Sequence, residues 1–271
     1  MTDRISGGAF KQMVAFGAAC ITAQKQAIND LNVFPVPDGD TGTNMSLTIQ
    51  TAVTELRRVE PSTLEEAAKI TASGLLRGAR GNSGVILSLL FRGMSKVFKG
   101  LAEADGAQLA AAMQEGVATA YGAVMKPAEG TVLTVSRLAA ARAAGCAREN
   151  NDVEAVLEAA IQEGHVALAD TVNLNPVLKK AGVVDAGGKG FLVILQGMLD
   201  ELRGLPMPEV MEEKEGSGDK ADFEALSVED ITFAFDTVYI IRKDREDVDL
   251  EPLRRYLNSI GDSLVIGEDD T

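Results

Sequence analysis

From Phe10 to Gly204, apolar and small residues return at intervals of three and four, and no run in that span alternates as a strand series would. A chain patterned in this way buries its apolar stripes helix against helix. The first stripe passes through Phe10, Val14, Gly17, Ile21, Ile28 and Leu31, with polar Gln24 as its gap, and predicts one long opening helix. Similar patterns predict helices at about Thr43–Arg58, Leu64–Leu76, Ser83–Lys99, Ala107–Ala123, Val132–Arg148, Val153–Asn173 and Gly187–Gly204. Ser62-Thr-Leu-Glu65 fits a capping box, and Gly100, Gly145 and Gly204 stand where helices can end. The expected fold is mainly α, an eight-helix bundle whose many Ala and Gly residues allow close helix approach.

After Leu205 the pattern breaks. Residues 206–229 are charged and punctuated by Pro and Gly, which predicts an acidic linker after a helical domain at 1–205. Within 230–271, Ile231–Ile241 is aromatic and β-branched, Leu250–Ile260 is helix-patterned, and Ser263–Ile266 is a short apolar run. This reads as β-α-β, an incomplete α/β segment that starts a middle domain. The chain stops at Thr271, where such a domain normally continues, and this suggests a truncated chain. A short protein, or one completed by a partner's strands, would end in the same way.

No run of about twenty apolar residues occurs, and the N-terminus lacks a secretory layout, so no transmembrane segment is expected and the cytoplasm is the default location. Cys20 and Cys146 lie far apart in apolar helical stretches and read as buried thiols. A formal charge of -14 and a pI near 4.6 argue against a nucleic-acid-binding surface, which needs clustered Lys and Arg. The same acidity is compatible with a nucleotide when a divalent cation bridges carboxylates to its phosphates.

Such a carboxylate pair is present. Asp38-Gly39-Asp40 follows the stiffening Pro35 and Pro37 and immediately precedes a helix. Magnesium commonly takes one or two carboxylates and completes its shell with phosphate oxygens and water. Thr41, Gly42, Thr43 and Asn44 then place hydroxyls, an amide and first-turn N–H groups where an anion can bind. By itself the segment also fits a plain turn with an N-cap. An EF-hand fits worse, because Ile49 stands where the bidentate acid belongs.

Three more helix starts share this character: Gly78-Ala-Arg-Gly-Asn-Ser-Gly84, Glu129-Gly-Thr-Val-Leu-Thr134 and Val184-Asp-Ala-Gly-Gly-Lys-Gly-Phe191. Gly188-Lys189 is not a P-loop, since Val183 replaces its first glycine and Gly190 its Ser or Thr. Ser83 is not in a nucleophile elbow, and His165, the only histidine, has no sequence link to it. Arg80 and Lys189, by their places in these segments, are candidates to assist a transferring phosphoryl group, and a surface salt bridge would account for either equally.

These four segments, in this order, resemble the bacterial fatty acid kinase ATP-binding subunit across about residues 5–204. That family is similar in turn to the L-subunit of dihydroxyacetone kinase, which carries glycerone kinase activity. The resemblance implies an eight-helix antiparallel barrel that holds ATP through Mg2+. It also implies transfer of the γ-phosphoryl to a fatty acid carboxylate presented by a separate fatty-acid-binding carrier protein, giving an acyl phosphate for phospholipid metabolism. Matched onto this chain, Asp38 and Asp40 are the metal-binding acids, and Asn32 falls near a third ligand position. Thr41 to Asn44, Gly81, Asn82, Ser83, Gly84, Thr131, Asp185, Gly187 and Gly188 fall in nucleotide-contacting segments, and Arg80 joins Asp38 and Asp40 as a catalytic candidate. A homodimer formed through the C-terminal region is a further expectation. Two other readings remain open: a dihydroxyacetone kinase-like subunit acting on a protein-bound sugar, and a non-catalytic nucleotide-sensing adaptor.

Overall fold

A computed structural model describes residues 4–208, 247–261 and 264–268, with positions 237, 239, 241 and 245 between them. The first element, β1 (Ile5–Ser6), pairs antiparallel with β2 (Glu103–Ala104), Ile5 opposite Ala104. Two residues per strand are too few to leave a periodic signal. Helix α1 (Gly7–Ala23) follows directly, and Ser6 Oγ accepts from Ala9 N at 3.2 Å. The single opening helix expected over Phe10–Leu31 is in fact two. At Gln24, the polar gap in the stripe, ψ rises to 8° and the chain restarts as α2 (Lys25–Asn29). The break turns Asn29 and Asn32 toward the loop that follows.

The other helices match the periodicity to within about two residues at most ends: α3 (Thr41–Leu56), α4 (Leu64–Gly78), α5 (Gly81–Val97), α6 (Gly106–Ala123), α7 (Val132–Glu149), α8 (Val153–Leu174) and α10 (Ala186–Leu202). Between the last two lies α9 (Pro176–Ala181), a single turn capped by Asn175 and closed by left-handed Gly182. Gly145 does not end a helix; it lies inside α7. The capping box expected from Ser62 and Glu65 is not formed: the N-cap is Thr63, whose Oγ1 accepts from Glu66 N, and Glu66 accepts from Ser62 N at 2.9 Å and not from the N-cap's own N–H.

The fold is mainly α, as the patterning requires. The long helices form a closed ring in the order α1, α3, α4, α5, α6, α7, α8, α10, with α10 packed against α1. That closure depends on glycine: a Cβ on Gly197 would lie 2.8 Å from Gly17 Cα, so a larger residue would force the two helices apart. The core runs continuously through the ring and includes fully buried Ile21, Ile49, Leu75 and Leu87 and an edge-to-face pair, Phe10 and Phe98, with centroids 5.9 Å apart. Burial pushes the Cys20 thiol up to about 11, and both cysteines are free and half-buried, in keeping with inert thiols.

Of the expected β-α-β segment, the helix is present as α11 (Glu251–Ile260). The linker from 209 onward and most of Ile231–Ile241 lie outside the described residues. In the last apolar run, Val265 forms an antiparallel bridge to Val124 of the barrel, and Met125 N donates to Leu264 O at 3.4 Å. Among the described residues, no helix is long and apolar enough to cross a membrane.

Candidate functional site

Because the ring alternates in direction, α3, α5, α7 and α10 all begin at one end, and α1, α4, α6 and α8 begin at the other. The four polar helix starts singled out in the sequence are therefore brought together. Gly81, at the head of α5, lies against the Asn44 side-chain amide in the first turn of α3. Arg80 N donates to Thr48 Oγ1 of α3 at 3.1 Å. Gly190 of α10 packs on the Met45 thioether of α3, and Asp185, heading α10, lies close enough to the backbone N–H of Val132, heading α7, to be stabilised by it.

The two ends of the ring differ in how their helices are capped. At the far end every helix uses its own cap residue: Ser6, Thr63, Asp105 and Asp152 each accept an N–H from the turn they precede, at 2.9–3.2 Å. At the near end α7 and α10 do likewise, through Thr131 and Asp185. By contrast, α3 and α5 do not. Their N-cap residues, Asp40 and Arg80, make no side-chain cap bond. In an alternating ring the helix dipoles of neighbours oppose one another, so uncapped first-turn N–H groups, rather than summed dipoles, give an anion something to bind.

In the first segment, Gly39 takes a φ of 66° in the loop before α3; Asp38 is exposed and Asp40 half-buried. Thr41 N and Thr41 Oγ1 both donate to Asn32 Oδ1, the former at 3.0 Å, and Asn32 Nδ2 donates to Val36 O at 2.7 Å. The carbonyl oxygen offered by the sequence as a neutral metal ligand is thus committed to holding the loop. Asn29, unmarked in the sequence, does the same one turn on: Thr43 N donates to its Oδ1 at 3.0 Å and its Nδ2 donates to Thr43 Oγ1 at 2.9 Å. The free N–H groups expected at Thr41 and Thr43 are taken by these two amides.

In the second segment, Gly81 has a φ of 54°, a left-handed conformation, and a Cβ there would fall 2.6 Å from Asn44 Nδ2. Asn82 and Ser83 are half-buried in the first turn of α5, with Gly84 buried beneath them. Arg80 is exposed, and its guanidinium folds back to donate to Ala79 O at 3.0 Å. Lys189 stands within electrostatic reach of His165 on α8, where it and burial, the larger cause, hold the imidazole below its usual range.

Thr131 and Asp185 are buried, and both spend their oxygens on the turns they head. Thr131 Oγ1 donates to Ala128 O at 2.8 Å and accepts from Leu133 N; Asp185 accepts from Gly188 N at 2.6 Å. Burial pushes the Asp185 carboxyl up to about 6. Gly187 is half-buried and Gly188 buried where α10 meets α7. Around Gly130, Thr134 Oγ1 accepts from Gly130 N at 2.9 Å and donates to Glu129 Oε2 at 2.7 Å. That hydrogen bond, opposed by partial burial and helped by Arg137, holds the Glu129 carboxyl below the ordinary range. The sequence did not mark Thr48 or Thr171, whose hydroxyls accept the N–H groups of Arg80 and Asp185 from another helix. Nothing in local spacing marks a residue whose partner is 32 or 14 positions away.

Among the described residues, no three His, Cys, Asp or Glu side chains cluster closely enough to hold a metal by themselves. A site at this loop would draw two carboxylates from the protein and leave other positions to phosphate and water, as magnesium prefers and zinc does not. Two surface clefts lie elsewhere. One of about 340 Å³ is lined by Arg92, Lys96, Glu115 and Arg254 beside α11, and one of about 380 Å³ lies at the far end by Ser62 and Glu103.

Residues 35–200 match the model of the DAK2 domain. The chain is 42% identical over 276 residues to an uncharacterized protein of Staphylococcus haemolyticus, covering 100% of this chain and 50% of that protein. It is 40% identical over 275 residues to protein YloV of Bacillus subtilis, covering 98% of this chain and 50% of that one. An uncharacterized protein of Staphylococcus aureus is also 40% identical, over 280 residues. The chain thus spans about half the length of the curated relatives it matches. With the matched region covering all four helix starts, this chain belongs to the DAK2 domain family, which ties it to the dihydroxyacetone kinases.

Proposed function

We propose that this chain binds ATP with magnesium at the end of the ring where α3, α5, α7 and α10 begin, and that it serves a cytoplasmic kinase which transfers the γ-phosphoryl to a fatty acid carboxylate on a separate carrier protein. The observation that carries the reading is that α3 and α5, whose first turns meet where Gly81 lies against Asn44, are the two helices at this end whose N-cap side chains make no cap bond. A cation held by Asp40 would then adjoin an anion held at the head of α5.

Asp38 and Asp40 would hold the magnesium, whose charge would offset that of the phosphates. The first-turn N–H groups of α5 and the Asn44, Asn82 and Ser83 side chains would orient the polyphosphate. Asp185, Thr131 and Asn32 hold the turns rigid. Arg80 needs only to leave its own loop carbonyls to reach a phosphoryl group. A fatty acid carboxylate is ionised at neutral pH, so no general base is required of the site.

Magnesium-dependent ATP binding by the full 271-residue chain, lost in both Asp38→Ala and Asp40→Ala with the fold intact by circular dichroism, is the expected result. Retained binding in both variants would remove the site assignment. The DAK2 match itself favours a second acceptor, a protein-bound triose. Labelled ATP supplied with a fatty acid and its carrier, or with dihydroxyacetone, separates the two by the product that carries label. Label in neither product, with binding intact, points to a nucleotide-sensing adaptor.

A further inference from the structure

We propose that Asn29 is a positioning residue: by capping α3 from outside, it keeps the Asp40 carboxylate off its own helix and available to a cation. The inference rests on the reading of Asp40 as a magnesium ligand.

An aspartate at an N-cap ordinarily accepts the N–H three residues on, as Asp105 does from Gln108 at 2.9 Å, Asp152 from Ala155 at 2.9 Å and Asp185 from Gly188 at 2.6 Å. For Asp40 that donor is Thr43 N. Asn29 already occupies it, at 3.0 Å, and locks itself in place through Nδ2 to Thr43 Oγ1 at 2.9 Å. Asn32 takes the next donor, Thr41 N, and ties the loop back at Val36. Accordingly Asp40 makes no cap bond, unlike the other aspartate N-caps among the described residues.

The arrangement requires amides. Asn29 both accepts from and donates to Thr43, and an aspartate there could not donate and would add a third negative charge beside Asp38 and Asp40. Gly42 belongs to the same device, because a Cβ at that position would overlap the Lys25 carbonyl and push α2, with Asn29, away from α3. Asp40 stands at φ −121° and ψ −3°, whereas Asp105, Asp152 and Asp185 cap from extended backbone. Without Asn29, Thr43 N would be an orphan donor, and Asp40 would take it by turning to that extended geometry.

This account predicts opposite signatures in affinity and in stability, which a merely structural residue would not produce. Mn2+ binding to the full chain, read by electron paramagnetic resonance with and without ATP, should weaken about ten- to a hundredfold in Asn29→Ala. Its melting temperature should stay close to that of the parent, because Asp40 takes over the cap. In the Asp40→Ala background the pattern reverses: adding Asn29→Ala should lower the melting temperature and cost no further Mn2+ affinity. If Asn29→Ala does not fold, Asn29→Ser, whose hydroxyl is too short to reach Thr43, carries the same comparison. Losses that simply add in the double variant, or unchanged Mn2+ affinity in Asn29→Ala, overturn the positioning role while leaving the metal reading intact. Unchanged Mn2+ affinity in Asp40→Ala overturns the metal reading itself, and this inference with it.

Discussion

The carboxylate of Asp185, at the head of α10, accepts Gly188 N at 2.6 Å and lies close enough to the backbone N–H of Val132, at the head of α7, to be stabilised by it, so one buried acid stands between two of the four helix starts. Burial outweighs these hydrogen bonds and pushes the carboxyl up to about 6 from an ordinary 3.8. The unfolded chain releases this proton near pH 4, whereas the folded chain keeps it to about pH 6. Between those values the folded state binds more protons, so stability falls as pH rises. The loss is about 3 kcal/mol, complete above pH 6. Asp185→Asn should abolish this term. Urea melts of both proteins from pH 4 to 7 should show the parent gaining on the variant by about that amount as pH is lowered; a constant difference would contradict the assignment.

Asp40 stands at an N-cap but does not act as one. Removing a working aspartate cap costs about 1 kcal/mol, and Asp105→Ala should show this because Asp105 caps Gln108 at 2.9 Å in a reciprocal box. Asp40→Ala should cost well under about 0.5 kcal/mol in metal-free denaturation, as expected of a side chain with no cap bond.

Gly81 combines a φ of 54° with the closeness of Asn44. Gly81→Ala should therefore lose about 1–2 kcal/mol to backbone strain alone. It should also weaken magnesium-ATP binding, since Asn44 has to move for the new methyl group. Calorimetric titration alongside a denaturant melt reads both.

Thr134 is 1% exposed and accepts the N–H of buried Gly130. Thr134→Val keeps the shape and strands that donor, which should cost about 1–3 kcal/mol. The Glu129 carboxyl, losing its principal hydrogen bond, should also titrate at higher pH, a change that carbon-detected NMR can follow.

The helices were legible because each buries a stripe, and seven of the eight expected stretches begin within about two residues of where the ring begins them. The eighth was misjudged at Gln24, where one polar residue in an apolar stripe was a break and not a tolerated gap. Glycine and hydroxyl clusters marked the four helix starts. Their meeting at one end follows from the alternation of the ring, which no local pattern carries. Roles within the site were less legible still. Asn32 could be read as a ligand because its amide oxygen is chemically suitable, and Asn29 attracted no notice because it ends a helix; only their bonds to Thr41 and Thr43 reveal both as holders of the loop.

The closed ring has a consequence for the route of the chain. Arg203 pairs with Glu154 in the first turn of α8 and with Glu158 in the second, so the polypeptide leaves the barrel at the end remote from Asp40. By Leu264 it is back beside Val124, at the opposite rim, and Gly267 rests on Leu76 and Val85 next to the head of α5. A seventeen-residue helix is about 25 Å long, so Arg203 and Leu264 stand at opposite ends of a barrel of about that height. The bridge between Val265 and Val124 thus lies five residues ahead of Glu129, on the threshold of the end where α3, α5, α7 and α10 begin.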